Sequence, residues 1–192
     1  SESGAGQTFT VTATVQNGTA ASPAGAFVTR LYWSTDNVLD SGDSEVEACS
    51  VAGLAPGQSS VCQTTLAIPA DITPAAYYII AKADDDDAVP SEISETNNIK
   101  TLLIKIGADL SIPTLTAPST SGAGQTITVT ATVKNGATAS PAGPFVTGLY
   151  LSTDNTLDSD DTGIGSCSVA GLAPGQSTGC QATLAIPLDL SL

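Results

Sequence analysis

Residues 3–69 return in register as residues 121–187, with about three-quarters of the positions identical and no gap. The offset is constant at 118 residues (125 − 7 for Gln7 and Gln125, 167 − 49 for Cys49 and Cys167, 180 − 62 for Cys62 and Cys180). That is far longer than a solenoid unit and has the size of one small domain. A chain made by copying a domain in line presents the same surface twice, which suits reach, multivalency or a polymer better than one catalytic pocket. The expected division is 1–106 for one unit and 107–192 for the next. The first unit has no counterpart of residues 108–118 and the second stops before any counterpart of 77–106. A first strand is therefore expected to be missing from the one and the last two strands from the other, as in a piece of a longer protein.

Within the repeat the hydrophobic period is two. Residues 8–15 alternate Thr with Phe9, Val11, Ala13 and Val15, and residues 126–133 do the same, which is the pattern of a strand half in a core and half in water. Asn17-Gly18 closes this strand, and a Ser22-Pro23-Ala24-Gly25 loop leads into a second apolar run at 27–34. Further runs at 46–51, 59–68, 77–83 and 98–106 give six strands between Gln7 and Ile106, and residues 108–115 would open the next unit. Nothing reads as a helix. Seven short strands in about 100 residues, joined by Gly, Pro and Asn turns, indicate an antiparallel sandwich. Trp33 falls where such a sandwich places a core aromatic, and its replacement by Leu151 in the other copy marks a packing role.

Composition removes several function classes. The chain has 5 Lys and Arg against 19 Asp and Glu, for a net charge of −14, so it repels nucleic acid and anionic lipid. It contains no His, which removes the commonest general base and any Ser-His-Asp or Cys-His arrangement. Carboxylate-pair glycosidase chemistry needs a cleft with aromatic walls, and the few aromatics fall on core strands. No apolar run is long enough to span a membrane as a helix, so no membrane insertion is expected in this segment.

The four cysteines form one equivalent pair per repeat, Cys49 with Cys62 and Cys167 with Cys180. Each pair straddles an Ala-Gly-Leu-Ala-Pro-Gly-Gln turn, and a hairpin there would set the two sulfurs opposite each other. Two disulfides are expected, and bonds of this kind persist in oxidising compartments. The alternative is a reduced pair of thiols in the cytosol. Neither pair has the spacing of a four-cysteine metal site.

Two acidic loops stand out. Asp36, Asp40 and Asp43 recur as Asp154, Asp158 and Asp161, with Asp160 added in the second copy. Crowded hard oxygen ligands suit Ca²⁺, but Asp and Asn in such loops also make Asx turns and stay solvated, and both readings stand. A second acidic run, 84–87, is expected at the opposite end of the sandwich. There Ca²⁺ could clamp one unit to the next with help from Asp109. Asn17-Gly18-Thr19 fits the N-glycosylation pattern, whereas Asn135-Gly136-Ala137 does not.

The chain resembles the CARDB family. The resemblance rests on Ala108-Asp109-Leu110 opening a repeat, Gly124-Gln125-Thr126 before a Thr/Val strand, and Val133-Lys134-Asn135-Gly136. It continues through residues 149–154 with Leu157-Asp158, Ala76-Tyr77-Tyr78 with residues 81–84, and the Glu95-Thr96-Asn97-Asn98 ending. It implies tandem immunoglobulin-like antiparallel β-sandwich domains, all-β, in an extracellular cell-adhesion-related protein of bacteria or archaea, normally without catalysis. The expected function is a structural or adhesive repeat segment of a secreted or surface protein, used as stalk, adhesin or filament building block. The alternative is an accessory spacer or carbohydrate-binding module of a secreted enzyme. The expected partners are copies of itself, in tandem, in a filament or by strand exchange, and a cell-surface or carbohydrate ligand. No cofactor beyond Ca²⁺ is implied.

Overall fold

A computed structural model describes residues 2–90, 92–186 and 188. The described residues contain strands and no helix, and the chain divides into compact units Ser1–Ile106 and Gly107–Leu192. In the first unit β1 is Glu2–Ser3, β2 Thr8–Gln16, β3 Phe27–Ser34, β4 Ser44–Val51, β5 Ser59–Ala67, β6 Ala75–Lys82 and β7 Ile99–Ile106. These strands make two sheets, one ordered β1-β7-β6-β3-β4 and the other β2-β5. All pairings are antiparallel except β1 with β7.

The alternation in the sequence becomes the two faces of β2. Thr8, Thr10, Thr12 and Thr14 are exposed, while Val11 is buried and Phe9, Ala13 and Val15 are partly so. On the wet face the β2-β5 pair is linked by Thr10 to Thr65 at 3.4 Å and by Gln63 Nε2 donating to Thr12 Oγ1 at 2.9 Å. On the dry face Val11 and Cys62 meet Leu31, Ile68, Ile79, Ile104 and Ile106 in the main core. Trp33 lies between Phe9 and Tyr77, with ring centroids 6.5 and 5.1 Å away, and is half-buried against this core.

The second unit contains β8 Leu110–Thr116, β9 Thr126–Asn135, β10 Phe145–Leu151, β11 Thr162–Val169 and β12 Ser177–Ala185. Its sheets are β12-β9-β8 and β10-β11. Among the described residues, β8 has no counterpart in the first unit, and β6 and β7 have none in the second. The core of the second unit is accordingly smaller, built on Ala131, Leu149 and Cys180 with a satellite of Val133, Ala142 and Leu172.

Two local expectations need correction. The cysteine-bearing strands are not a hairpin: β4 pairs with β3 in one sheet and β5 with β2 in the other, so residues 52–58 cross between sheets. Pro56-Gly57 turns there with Gln58 N–H donating to Ala55 C=O at 3.0 Å, and Gly57 supplies the positive φ of 78° that the turn requires. The short β1 was not expected from the sequence, because two residues beside glycines carry no periodicity.

Candidate functional site

The expected disulfides form at Cys49–Cys62 and Cys167–Cys180, each with a Cα separation of 5.6 Å. Because the paired cysteines sit on different sheets, each bond fastens the two layers of its sandwich together. Cys62 and Cys180 are fully buried, at 2% and 0% exposure.

The Asp36 loop joins β3 to β4, and its carboxylates accept from their own backbone. Asp36 Oδ1 accepts from Val38 N–H at 2.8 Å, Asp40 Oδ1 from Gly42 N–H at 2.7 Å, and Asp43 Oδ2 from Asp40 N–H at 3.0 Å. The second copy repeats the arrangement. Asp154 accepts from Thr156 at 2.7 Å, Asp158 from Asp160 at 2.9 Å, and Asp161 from Asp158 at 2.9 Å. A hydrogen bond from Ser152, then the backbone bond, holds the Asp161 carboxyl below its ordinary range. The bonds from Asp36, Asp40, Asp154 and Asp158 to the N–H two residues on are Asx turns. Among the described residues no three acidic, His or Cys groups converge where a metal ion would sit. Asp109 N–H donates to Asn135 Oδ1 at 3.0 Å and its C=O accepts from Gly136 N–H at 2.8 Å.

The 84–87 loop sits at the other end of the first sandwich, where Asp85 N–H donates to Val28 C=O at 2.9 Å and Val28 N–H donates to Asp86 Oδ1 at 3.0 Å. Asp84 is buried and takes positive φ, and its two oxygens accept from Ala88 and Val89 at 2.9 and 3.0 Å. Asp85 is the centre of a network that sequence reasoning missed. Its Oδ2 accepts from Arg30 at 2.6 Å and from the Tyr32 hydroxyl at 2.7 Å, and its Oδ1 lies 3.4 Å from Lys82 Nζ. Burial alone would raise the Asp85 carboxyl, but the hydrogen bonds from Tyr32 and Arg30 and the Lys82 charge outweigh it and hold it low. Burial, then the bond to Asp85, pushes the Tyr32 hydroxyl up to about 12. No local spacing could have shown this cluster, because Arg30 and Asp85 are 55 residues apart.

Asn17 is structural. Its Nδ2 donates to Ser22 C=O at 2.8 Å and to Leu54 C=O at 3.0 Å, so both hydrogens of the nitrogen that glycosylation would modify are already used. Beside it a cavity of about 400 Å³ is lined by Val15, Asn17, Ala24, Phe27, Leu54 and Val89, among others.

The two sandwiches, each with its inter-sheet bridge, carry the pattern of one family. The CARDB profile matches residues 1–102 and again 107–190. The chain belongs to the CARDB family. CARDB is a cell-adhesion-related domain, and the two matches agree with the tandem all-β sandwiches described above. No curated protein matches the chain. Among solved structures, one described as a chaperone-tip adhesin complex vital for activation of CFA/I fimbriae biogenesis is similar at 15% identity. That alignment covers 93% of this chain and 80% of the other, with a TM-score of 0.28.

Proposed function

We propose that this pair of CARDB domains is a non-catalytic structural or adhesive segment that works outside the cell, as part of a stalk, adhesin or filament. The observation that carries the reading is the inter-sheet disulfide, placed identically in both copies. A bond of this kind forms and persists in an oxidising compartment, and fastening both layers of each unit suits a module that must keep its shape in line with others. The His-free composition and the strongly acidic, Thr-rich exterior fit the same setting. The reading does not depend on calcium; the aspartates of the β3-β4 and β10-β11 loops accept from their own backbone. Antibody raised against the chain should label intact cells, and alkylation of protein taken from them should modify none of the four cysteines. Labelling only after permeabilisation, or four alkylated thiols, would overturn the reading.

A further inference from the structure

The same edge strand is written twice in this chain, once with charges and once without. In the first unit β4 is the last strand of its sheet: β3 pairs with one side of it, and β6 and β7 lie on the far side of β3. In the second unit β11 stands in the same relation to β10. Among the described residues no strand lies beside the outer edge of β4 or of β11. Because β6 and β7 are present in the first unit and leave that side of β4 uncovered, the outer edge of β11 is an edge by the plan of the repeat.

A free edge offers unpaired N–H and C=O groups to any extended strand, and charged side chains are a usual guard against this. β4 reads Ser-Glu-Val-Glu-Ala-Cys-Ser-Val and carries Glu45 and Glu47, with Glu45 3.2 Å from Arg30 Nε. β11 reads Thr-Gly-Ile-Gly-Ser-Cys-Ser-Val, with glycine at both positions and no charge from Thr162 to Val169. Packing explains one of these glycines. A Cβ on Gly165 would fall 2.6 Å from Ala182 Cβ, whereas a Cβ on Gly163 would meet nothing closer than the Tyr150 ring at 3.9 Å. Glycine inside a strand often marks the close approach of another backbone.

The edge is regular where it is uncharged. The bulge falls at Ile164, since Leu149 faces Gly165 and Tyr150 faces Gly163, and Asp160 and Asp161 lie before it. From Gly165 to Val169 the ladder with β10 is unbroken, and Gly165, Ser166 and Ser168 are exposed. The Cys167 side chain is turned toward the core and held in its bond to Cys180, so it takes no part at the edge.

We propose that β11 is a self-pairing edge: two copies of the chain join through residues 165–169, antiparallel across a two-fold axis near Cys167, so that their β10-β11 sheets become one. A two-fold contact needs a surface that complements itself. An uncharged stretch of Gly, Ser and Val does so, with Ser166 of each copy opposite Ser168 of the other. The same pairing at β4 would crowd the carboxylates of Glu45 and Glu47 from both copies into one ladder, where like charges repel. The occupant is therefore a second copy of this chain, at β11 and not at β4. Its use as a filament contact rests on the function proposed above, but failure of the contact would leave the cell-labelling and alkylation outcomes untouched.

The test is dilution of the ¹⁵N-labelled 192-residue chain from about 1 mM, where even a weak dimer is populated, with sedimentation equilibrium on the same samples. A monomer–dimer equilibrium is expected, with concentration-dependent amide shifts at residues 163–169 and none at 45–51, the guarded copy in the same molecule. Ser166→Glu/Ser168→Glu sets like charges opposite each other at exposed positions and should weaken the dimer by about ten-fold. Ser166→Thr/Ser168→Thr, which adds bulk without charge, should leave it unchanged. Concentration-dependent shifts confined to residues outside 163–169, or a dimer indifferent to Ser166→Glu/Ser168→Glu, would overturn the proposal. So would a chain that stays monomeric at about 1 mM, including one whose 163–169 amides shift only with a foreign extended peptide. The dilution arm stands even if the charged variant does not fold.

Discussion

Removing the Cys49–Cys62 bridge tests whether sulfur or packing holds the first sandwich together. The bridge spans 13 positions in sequence and joins β4, which pairs only with β3, to β5, which pairs only with β2. It is therefore a fixed point between two edge strands in different layers, where no hydrogen-bond ladder runs. Releasing a loop of this length adds about 3 kcal/mol of freedom to the unfolded chain in the entropic account. Replacing both cysteines by alanine also removes sulfur from the core that Cys62 shares with Val11 and Leu31, which costs about 1 kcal/mol more. For a domain of this size each kcal/mol moves the midpoint by about 4–8 °C, so the double variant should melt about 15–30 °C below the oxidised protein. Trp33 is the single tryptophan and lies in the first unit between Phe9 and Tyr77, so its emission reads that unit. Melts followed by Trp33 should place the Cys49→Ala/Cys62→Ala variant close to the wild type treated with a phosphine reductant, and both far below the oxidised wild type. A fall of less than about 4 °C, roughly 1 kcal/mol, would refute the argument and show that the two layers hold without the bridge.

Asn135→Ala removes three hydrogen bonds, from the Asp109 N–H and to the Ser140 and Leu172 carbonyls, at a fully buried side chain, and should destabilise the second unit by about 3 kcal/mol. Asn17→Ala breaks only two such bonds, nearer to water, and should destabilise the first by about 2 kcal/mol in urea titration; equal effects would contradict the extra bond. The Asp85 carboxyl is held low in the folded state, so its contribution is complete above about pH 4 and is lost as pH falls through the depressed value. Tyr32, raised to about 12, contributes below about pH 10 and loses that contribution as pH rises through its folded value. Asp85→Asn should therefore flatten the acid limb of the Trp33-monitored stability profile, and parallel limbs in variant and wild type would refute the linkage. Added Ca²⁺ should leave the melting temperature unchanged, and a rise that EDTA reverses would show a cation site in the acidic loops.

Much of the fold could be read from the sequence because its main signals are local. The Thr/Val alternation of residues 8–15 sets β2 and its inward face at once, and Pro56-Gly57 marks its turn through a backbone requirement of Gly57 alone. The cysteine pairing followed from one pair per copy, but the placement of β4 and β5 in different sheets did not, since a connection seven residues long looks the same whether it closes a hairpin or crosses layers. The acidic loops illustrate a second limit. Spacing of carboxylates is equally compatible with a shared cation and with separate turns, and it does not show that oxygens of Asp36, Asp40 and Asp43 turn toward the N–H groups of Val38, Gly42 and Asp40. The Asp85 cluster required knowing that β3 and β6 are neighbours, which sets Arg30 opposite Lys82.

The differences between the copies separate positions that answer to their surroundings from positions that do not. Arg30 becomes Gly148 and Glu45 becomes Gly163, which removes from the second unit the ion pair that adjoins Asp85 in the first. The adjacent tyrosine responds. Tyr32 extends to Asp85, whereas the ring of Tyr150 lies so close over Gly148 that a Cβ there would fall 2.7 Å from it. Position 30 and its copy thus carry alternative solutions, each consistent only with its own surroundings. At Asn17, Ser22 and Leu54 the solution is shared: the residues are the same in both copies, and Asn17 Nδ2 donates to the Ser22 and Leu54 carbonyls as Asn135 Nδ2 does to those of Ser140 and Leu172.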